Sequence, residues 1–145
     1  SWYALNECVV LCRGSAIGKL ALFVDDTFVT LVEGDGIIVS SPTGSTGYSL
    51  SCGGPIISPS VPCILLTPIA PASLSFRPVL ISELSKVEVL LPRAARTGEA
   101  TVVVDGRDMG TLGRGGKVRV SLARPIPVVK GANLDRDWFD AITYK

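Results

Sequence analysis

Residues 36–76 carry no charged side chain across 41 consecutive positions, and six prolines interrupt them. That pairing constrains the fold more than any other feature. An uncharged tract this long belongs in a protein interior or against a ligand. A spanning helix needs about 20 mainly apolar residues in one unbroken run. Pro42, Pro55, Pro59, Pro62, Pro68 and Pro71, with Gly44, Gly47, Gly53 and Gly54, break any such run. The tract reads as buried strands joined by turns that line a polar ligand, and no membrane association is expected.

The flanking sequence is built the same way. The runs 7–13 (ECVVLCR), 20–26 (LALFVDD), 27–33 (TFVTLVE) and 36–41 (GIIVSS) are short, β-branched and bounded by Gly or Asp. After the glycine-rich stretch come 63–69, 77–82, 86–92 and 100–106, then 117–123 and 126–130. Hairpins are expected at Asp25-Asp26 and through Arg107-Asp108. In KVRVSL, Val118, Val120 and Leu122 alternate with Lys117, Arg119 and Ser121, which predicts one wet face. The ARPIPV stretch reads as an edge strand. Helix is expected only near residues 45–52 and 134–143, the latter capped by Asn133. Many short strands with regular turn signals predict an all-β sandwich or distorted barrel, as one domain over 1–145.

Charge and cysteine usage remove several function classes. The net charge is +1, so no general affinity for nucleic acid is expected. There is no histidine, which removes the commonest general base and metal ligand. Cys8, Cys12, Cys52 and Cys63 form no C-x-x-C pair and are expected to be small buried thiols in a reducing compartment. No metal site is expected. The only Met is Met109, and the chain reads as a piece of a longer protein.

Two lookalikes fail on spacing. GSAIGKL (14–20) is one residue short of a P-loop and ends in Leu where magnesium needs a hydroxyl. TGSTG (43–47) has Thr where a nucleophile elbow needs its first Gly, and no His completes a triad. The stretch GDGIIVSSPTGSTGYSLSCGG (34–54) is different. A strand delivers the chain to Pro42, and Thr43-Gly44-Ser45-Thr46-Gly47 turns into a helix start. Unpaired N–H groups pointing outward are expected there. Hydroxyls at Thr43, Ser45, Thr46 and Ser51 add uncharged donors, Tyr48 a flat face, and Asp35 an acceptor. On the residues alone, a nucleotide site and a plain strand–turn–helix with a hydroxyl cap both remain open.

ALNE (4–7), GDGIIVSSPTGSTGYSLSCGGPII (34–57), LTPIAPASLSFRP (66–78), VDGR (104–107) and DWF (137–139) occur in order across nearly the whole chain. Together they resemble the C-terminal domain of the NAD kinase family. Ser41 and Gly47 stand where that family usually has Thr and Ala, and Ala72 where many members carry His. The resemblance implies a β-sandwich of that domain's type, with one short internal helix and a C-terminal helix. It implies that the parent enzyme phosphorylates the adenosine 2′-hydroxyl of NAD with ATP or polyphosphate, giving NADP. The family's catalytic Asp lies in a Gly-Gly-Asp-Gly-Thr stretch of an N-terminal α/β domain that is absent here. No catalytic residue is therefore expected in this chain, and the isolated chain is expected to be inactive.

Residue by residue, the resemblance implies that Asn6 binds adenosine and that Glu7 sits near the ribose and phosphates. Thr43 and Thr46 match the adenine side. Asp35, Gly47 and Ser51 match positions that hold the nicotinamide carboxamide, with Tyr48 packing on a ring; Ala70 and Asp105 match positions near the site. The implied small molecules are NAD or NADP, ATP and Mg2+, the metal mainly with the missing domain. The implied partners are that N-terminal domain and further copies of the chain, as homodimer or homotetramer. The implied compartment is the cytoplasm, with an organelle left open. The alternatives are a non-catalytic nucleotide sensor and an accessory domain of a related lipid kinase.

Overall fold

The structure, a computed structural model, describes residues 1–14, 16–73 and 76–127, together with Trp138, Asp140 and Ile142. Its strands are β1 (Glu7–Cys12), β2 (Gly18–Val24), β3 (Thr27–Gly34), β4 (Gly36–Ser40), β5 (Cys63–Ile69), β6 (Val79–Ser82), β7 (Val87–Leu90), β8 (Glu99–Val104), β9 (Arg107–Gly113) and β10 (Lys117–Val120). They form two antiparallel sheets. The larger runs β6-β5-β4-β1-β8-β9 and the smaller β10-β7-β2-β3. This is the mainly β sandwich that the short β-branched runs predict.

Alternation along the strands builds the core. Val10, Ile37, Val39, Ile64, Leu66 and Ala100 of the larger sheet meet Leu20, Leu22, Val32, Val87 and Val89 of the smaller. Each large aliphatic buried here contributes about 1.5–3 kcal/mol. The larger sheet is also covered on its outer face near the middle, where Val9, Ile38 and Ile69 pack with Leu11, Val103 and Cys52. Strands β4 and β5 are consequently buried at every position. A charge there would be desolvated whichever way it pointed, which accounts for much of the uncharged tract.

The turns follow backbone chemistry. Asp25 (φ 49°) and Asp26 (φ 61°) make the β2–β3 hairpin at the expected place, with the two positive φ angles of a type I′ turn. The β8–β9 hairpin turns at Asp105 (φ 44°) and Gly106 (φ 77°), two residues before the expected Arg107-Asp108. Asp-Gly tolerates two successive positive φ values, and Arg107 instead opens β9. The expected edge strand in ARPIPV does not form at 124–127, where Pro125 and Pro127 lack N–H donors. The alternation of KVRVSL ends with β10 at Val120, leaving Leu122 exposed. The expected helix at 45–52 is a 3-10 turn, Thr43–Thr46, followed by α1, Tyr48–Ser51. At the C-terminus Trp138, Asp140 and Ile142 are helical; the rest of 134–143 lies outside the described residues, as do 128–130.

Candidate functional site

Asp105 organises one end of the larger sheet. Its carboxylate accepts the backbone N–H groups of Leu5 (2.7 Å), Asn6 (2.9 Å) and Glu7 (3.0 Å). Its own N–H donates to the Glu7 carbonyl at 3.1 Å. The left-handed backbone at Asp105 swings the carboxylate back over the chain entering β1. The side chains of Asn6 and Glu7 are thereby presented from a fixed backbone.

The 41–47 segment docks on the same stretch. The Ser41 N–H donates to the Asn6 carbonyl at 2.9 Å. The hydroxyls of Ser41 (2.7 Å) and Thr43 (3.2 Å) both donate to the Leu5 carbonyl. Gly44 lies so close that a Cβ would overlap the Asn6 carbonyl oxygen. At Gly47 a Cβ would stand 3.6 Å from Glu7 Oε2. The structure thus brings Asn6, Glu7, Thr43, Thr46, Gly47 and Asp105 to one end of the fold.

The expectation of outward, unpaired N–H groups is corrected at three positions. The N–H groups of Gly44, Ser45 and Gly47 bond to Ser41 Oγ, the Pro42 carbonyl and the Gly44 carbonyl. Tight 3-10 coiling turns these donors inward. Neither N-cap residue, Pro42 or Gly47, caps its short helix with a side chain; the Ser41 hydroxyl, one residue earlier, serves the Gly44 N–H. Ser45 instead accepts the Ile57 N–H at 2.9 Å, and Ser49 bonds Thr67 Oγ1 at 2.7 Å, both in the interior. Ser45 is therefore structural and not a ligand donor. Sequence reading passed over Ser41, Ser49 and Thr67; the crowding of hydroxyls opposite an uncharged strand is the signal that marks such pairs.

Asp35 and Ala70 lie at the other end of β4. The Asp35 N–H donates to the Ile69 carbonyl and its carbonyl accepts from Cys12, each at 2.9 Å, so the backbone is pinned and the side chain stays exposed. Ala70 adopts φ 43° where the chain leaves β5. Five residue steps lead from Asp35 to Ser40, about 16 Å at the usual rise. Helix α1 bridges the two ends on the outer face, where Cys52, just beyond it, packs over Val9, Ile38 and Ile69. Tyr48 and Ser51 on that helix are exposed.

Electrostatics separate the two carboxyls of the Asp105 end. Burial tends to raise Asp105, but the N–H groups of Leu5, Glu7 and Asn6, with Arg107 nearby, outweigh it and hold the carboxyl below its ordinary range. Glu7 is raised by burial first and by the Asp105 charge second. Asp105 therefore keeps the negative charge more firmly, and Glu7 is the more readily protonated neighbour. Burial, then Cys52 and Asp35, raise the Tyr48 phenol.

A cavity of about 700 Å³ opens beside the Asp105 end, between the sheets, lined by Cys8, Val39, Val102, Val104, Val118 and Val120 and also by Asn6, Glu7, Ser40 and Ser41. Asp35, Tyr48, Ser51 and Ala70 do not line it. The four cysteines are free, and burial pushes the Cys8 thiol up to about 11, which suits an inert buried group. Among the described residues no three His, Cys, Asp or Glu side chains could hold a metal ion, and no helix is long and apolar enough to cross a membrane.

Comparison with known proteins places these features. A family model described as the ATP-NAD kinase C-terminal domain matches residues 5–128. The chain is 43% identical over 141 residues to the chloroplastic NAD kinase 2 of Arabidopsis thaliana, covering 95% of this chain and 14% of that protein. It is 40% identical to the mitochondrial NADH kinase pos5 of Schizosaccharomyces pombe, covering 98% of this chain and 37% of that protein. The chain thus spans well under half the length of these relatives. Among solved structures it resembles an NAD kinase from Archaeoglobus fulgidus in complex with ATP, with TM-score 0.81 and 34% identity, over 97% of this chain and 54% of that one. Yeast NADH kinase complexed with NADH gives TM-score 0.75 and 37% identity, over 81% of this chain and 34% of that one.

Proposed function

The chain belongs to the ATP-NAD kinase family as its C-terminal domain, and from that membership we propose that the parent enzyme phosphorylates the adenosine 2′-hydroxyl of NAD, this domain supplying most of the NAD or NADP site. The observation that carries the reading is the Asp105 clamp, which presents Asn6 and Glu7 beside Thr43–Gly47. Asp35 stands about 16 Å further along β4. Two polar ends bridged by α1 and a flat aromatic side chain suit an extended dinucleotide with neutral rings at its ends.

In this reading Asn6 hydrogen-bonds the adenosine, with Thr43 and Thr46 beside it. Glu7 faces the ribose. Asp35 accepts from the nicotinamide amide, with Ala70 beside Asp35, Tyr48 against a ring and Ser51 on the same helix; the resemblance sets Gly47 at that amide too, but Gly47 is seated beside Glu7, at the other end of β4. Asp105 acts through the backbone it holds. The residues described do not fit Mg2+: Asp105 is already engaged by three N–H groups, and no third ligand stands near Glu7. Metal and ATP triphosphate are therefore assigned to the N-terminal α/β domain, which would carry the catalytic Asp. Further copies of the chain are proposed to complete a homodimer or homotetramer. The cytoplasm is the proposed compartment; the relatives named for chloroplast and mitochondrion keep the organelles in view.

Thermal shift of the full-length protein with NAD, NADP, ATP and a sphingoid lipid separates the readings. Stabilisation by NAD and NADP, with NADP formed from NAD and ATP, is the expected result. NAD binding without turnover in the full-length protein indicates a sensor. Response to the lipid alone indicates a lipid-kinase accessory domain.

A further inference from the structure

Ser40 closes β4 at 2% exposure. Its hydroxyl is a buried side-chain oxygen that lacks a hydrogen-bond partner. An unpaired buried hydroxyl is uncommon in native proteins and calls for a reason. Ile37 and Val39 face the smaller sheet, whereas Ile38 packs on the opposite side with Val9. Ser40, two residues beyond Ile38, therefore stands on the outer face, where α1 and the 3-10 turn lie.

Its direct cross-strand neighbour is Glu7. The Ser41 N–H bonds the Asn6 carbonyl, so Asn6 and Ser41 form the hydrogen-bonded pair. Glu7 and Ser40 form the next pair, the kind in which side chains approach most closely, with Cβ atoms about 4.5–5.5 Å apart. Glu7 Oε2 points toward Gly47. The groups around Glu7 are Asp105 from the β8–β9 turn with Arg107 after it, Ser40 from β4 and Gly47 from the turn. None of them donates a hydrogen bond to the Glu7 carboxylate in the structure. An unused donor thus sits directly across from an unserved carboxylate.

We propose that Ser40 is a positioning residue for Glu7: on rotation its hydroxyl donates to the Glu7 carboxylate and holds it, ionised, in place to receive the dinucleotide ribose. The last clause rests on the function proposed above; the pairing itself does not. At 2% exposure the hydroxyl is shielded from a ligand, so its influence passes through Glu7. The raised tendency of Glu7 to protonate, from burial and from Asp105, is what such a donor would offset.

The test follows the Glu7 carboxyl carbon by NMR titration, assigned through its loss in Glu7→Gln. The protein is compared unaltered and as Ser40→Ala, Ser40→Cys and Ser40→Thr, and NAD affinity is measured on each in the full-length protein. Ser40→Ala is expected to titrate about one pH unit higher, the size expected when a charged group loses a hydrogen bond. Its NAD affinity should fall about tenfold in that pH range, and its melting temperature should fall at neutral pH, where the lost donor served the ionised carboxylate, with the gap closing in acid. Ser40→Thr should restore both values, and Ser40→Cys, a weak donor, should resemble Ala while keeping the volume. A Glu7 titration unmoved by Ala and Cys overturns the proposal. A titration that moves in a full-length protein that does not bind NAD upholds the Ser40–Glu7 pair and overturns the dinucleotide reading.

Discussion

Asp105 ties three N–H groups with one carboxylate, and Asp105→Ala would leave all three without that acceptor. Because the site is partly exposed, water replaces some of the loss, and destabilisation of about 1–3 kcal/mol is expected in urea unfolding. The carboxyl is held low in the fold, so its contribution is present above the unfolded range and fades as pH falls through the folded value. The gap between variant and unaltered protein should therefore narrow in acid. Asp35→Ala removes an exposed side chain whose backbone is pinned independently. In the full-length enzyme it should weaken NAD binding by about 1–3 kcal/mol while leaving ATP binding and folding nearly unchanged; an unaltered NAD Michaelis constant would mark Asp35 as structural. The placement of Asp35 at a strand start was legible from GDGIIV. The clamping role of Asp105 was not, because it depends on a turn conformation and on a partner segment remote in sequence.

Among the elements, the 3-10 turn is seated by contact with Asn6. Gly44→Ala would drive a methyl into the Asn6 carbonyl. A loss of about 2–4 kcal/mol, or a displaced turn with weakened NAD binding, is expected from overpacking against backbone. Helix α1 is tied to β5 by the buried Ser49–Thr67 pair. Ser49→Ala or Thr67→Val alone should each destabilise by about 1–3 kcal/mol by orphaning the other hydroxyl. The double variant should be less destabilised than the sum, a coupling that a double-mutant cycle reads directly. Strand positions were legible because β-branched runs end at Gly and Asp. The β8–β9 turn forms two residues before Arg107-Asp108 because Asp105-Gly106 accepts the two successive positive φ angles that a tight hairpin needs. The donors of Gly44, Ser45 and Gly47 were misread because local coiling competes with a ligand for the same N–H groups.

For the whole molecule, the expected behaviour is division of labour. The chain alone should form no NADP from NAD, ATP and magnesium, because the proposal gives the donor to the N-terminal domain and transfer needs it held in line. Activity should return with the N-terminal domain. Turnover by the chain alone, abolished by Glu7→Gln, would instead make Glu7 the catalytic carboxylate. The sandwich as a whole was legible from strand density; what lay beyond reach was which distant strands become neighbours. That adjacency has a consequence for how the protein comes into being. Leu5 is held by a residue 100 positions later, and β1 sits between β4 and β8. During synthesis, β1 can find β4 early but must wait for β8. The Asp105 end is thus among the last parts that a growing chain can complete, and a product truncated before Asp105 would lack the clamp however well its earlier strands had paired. Pairings of such long sequence separation also put this domain among slow folders, on the order of milliseconds to seconds.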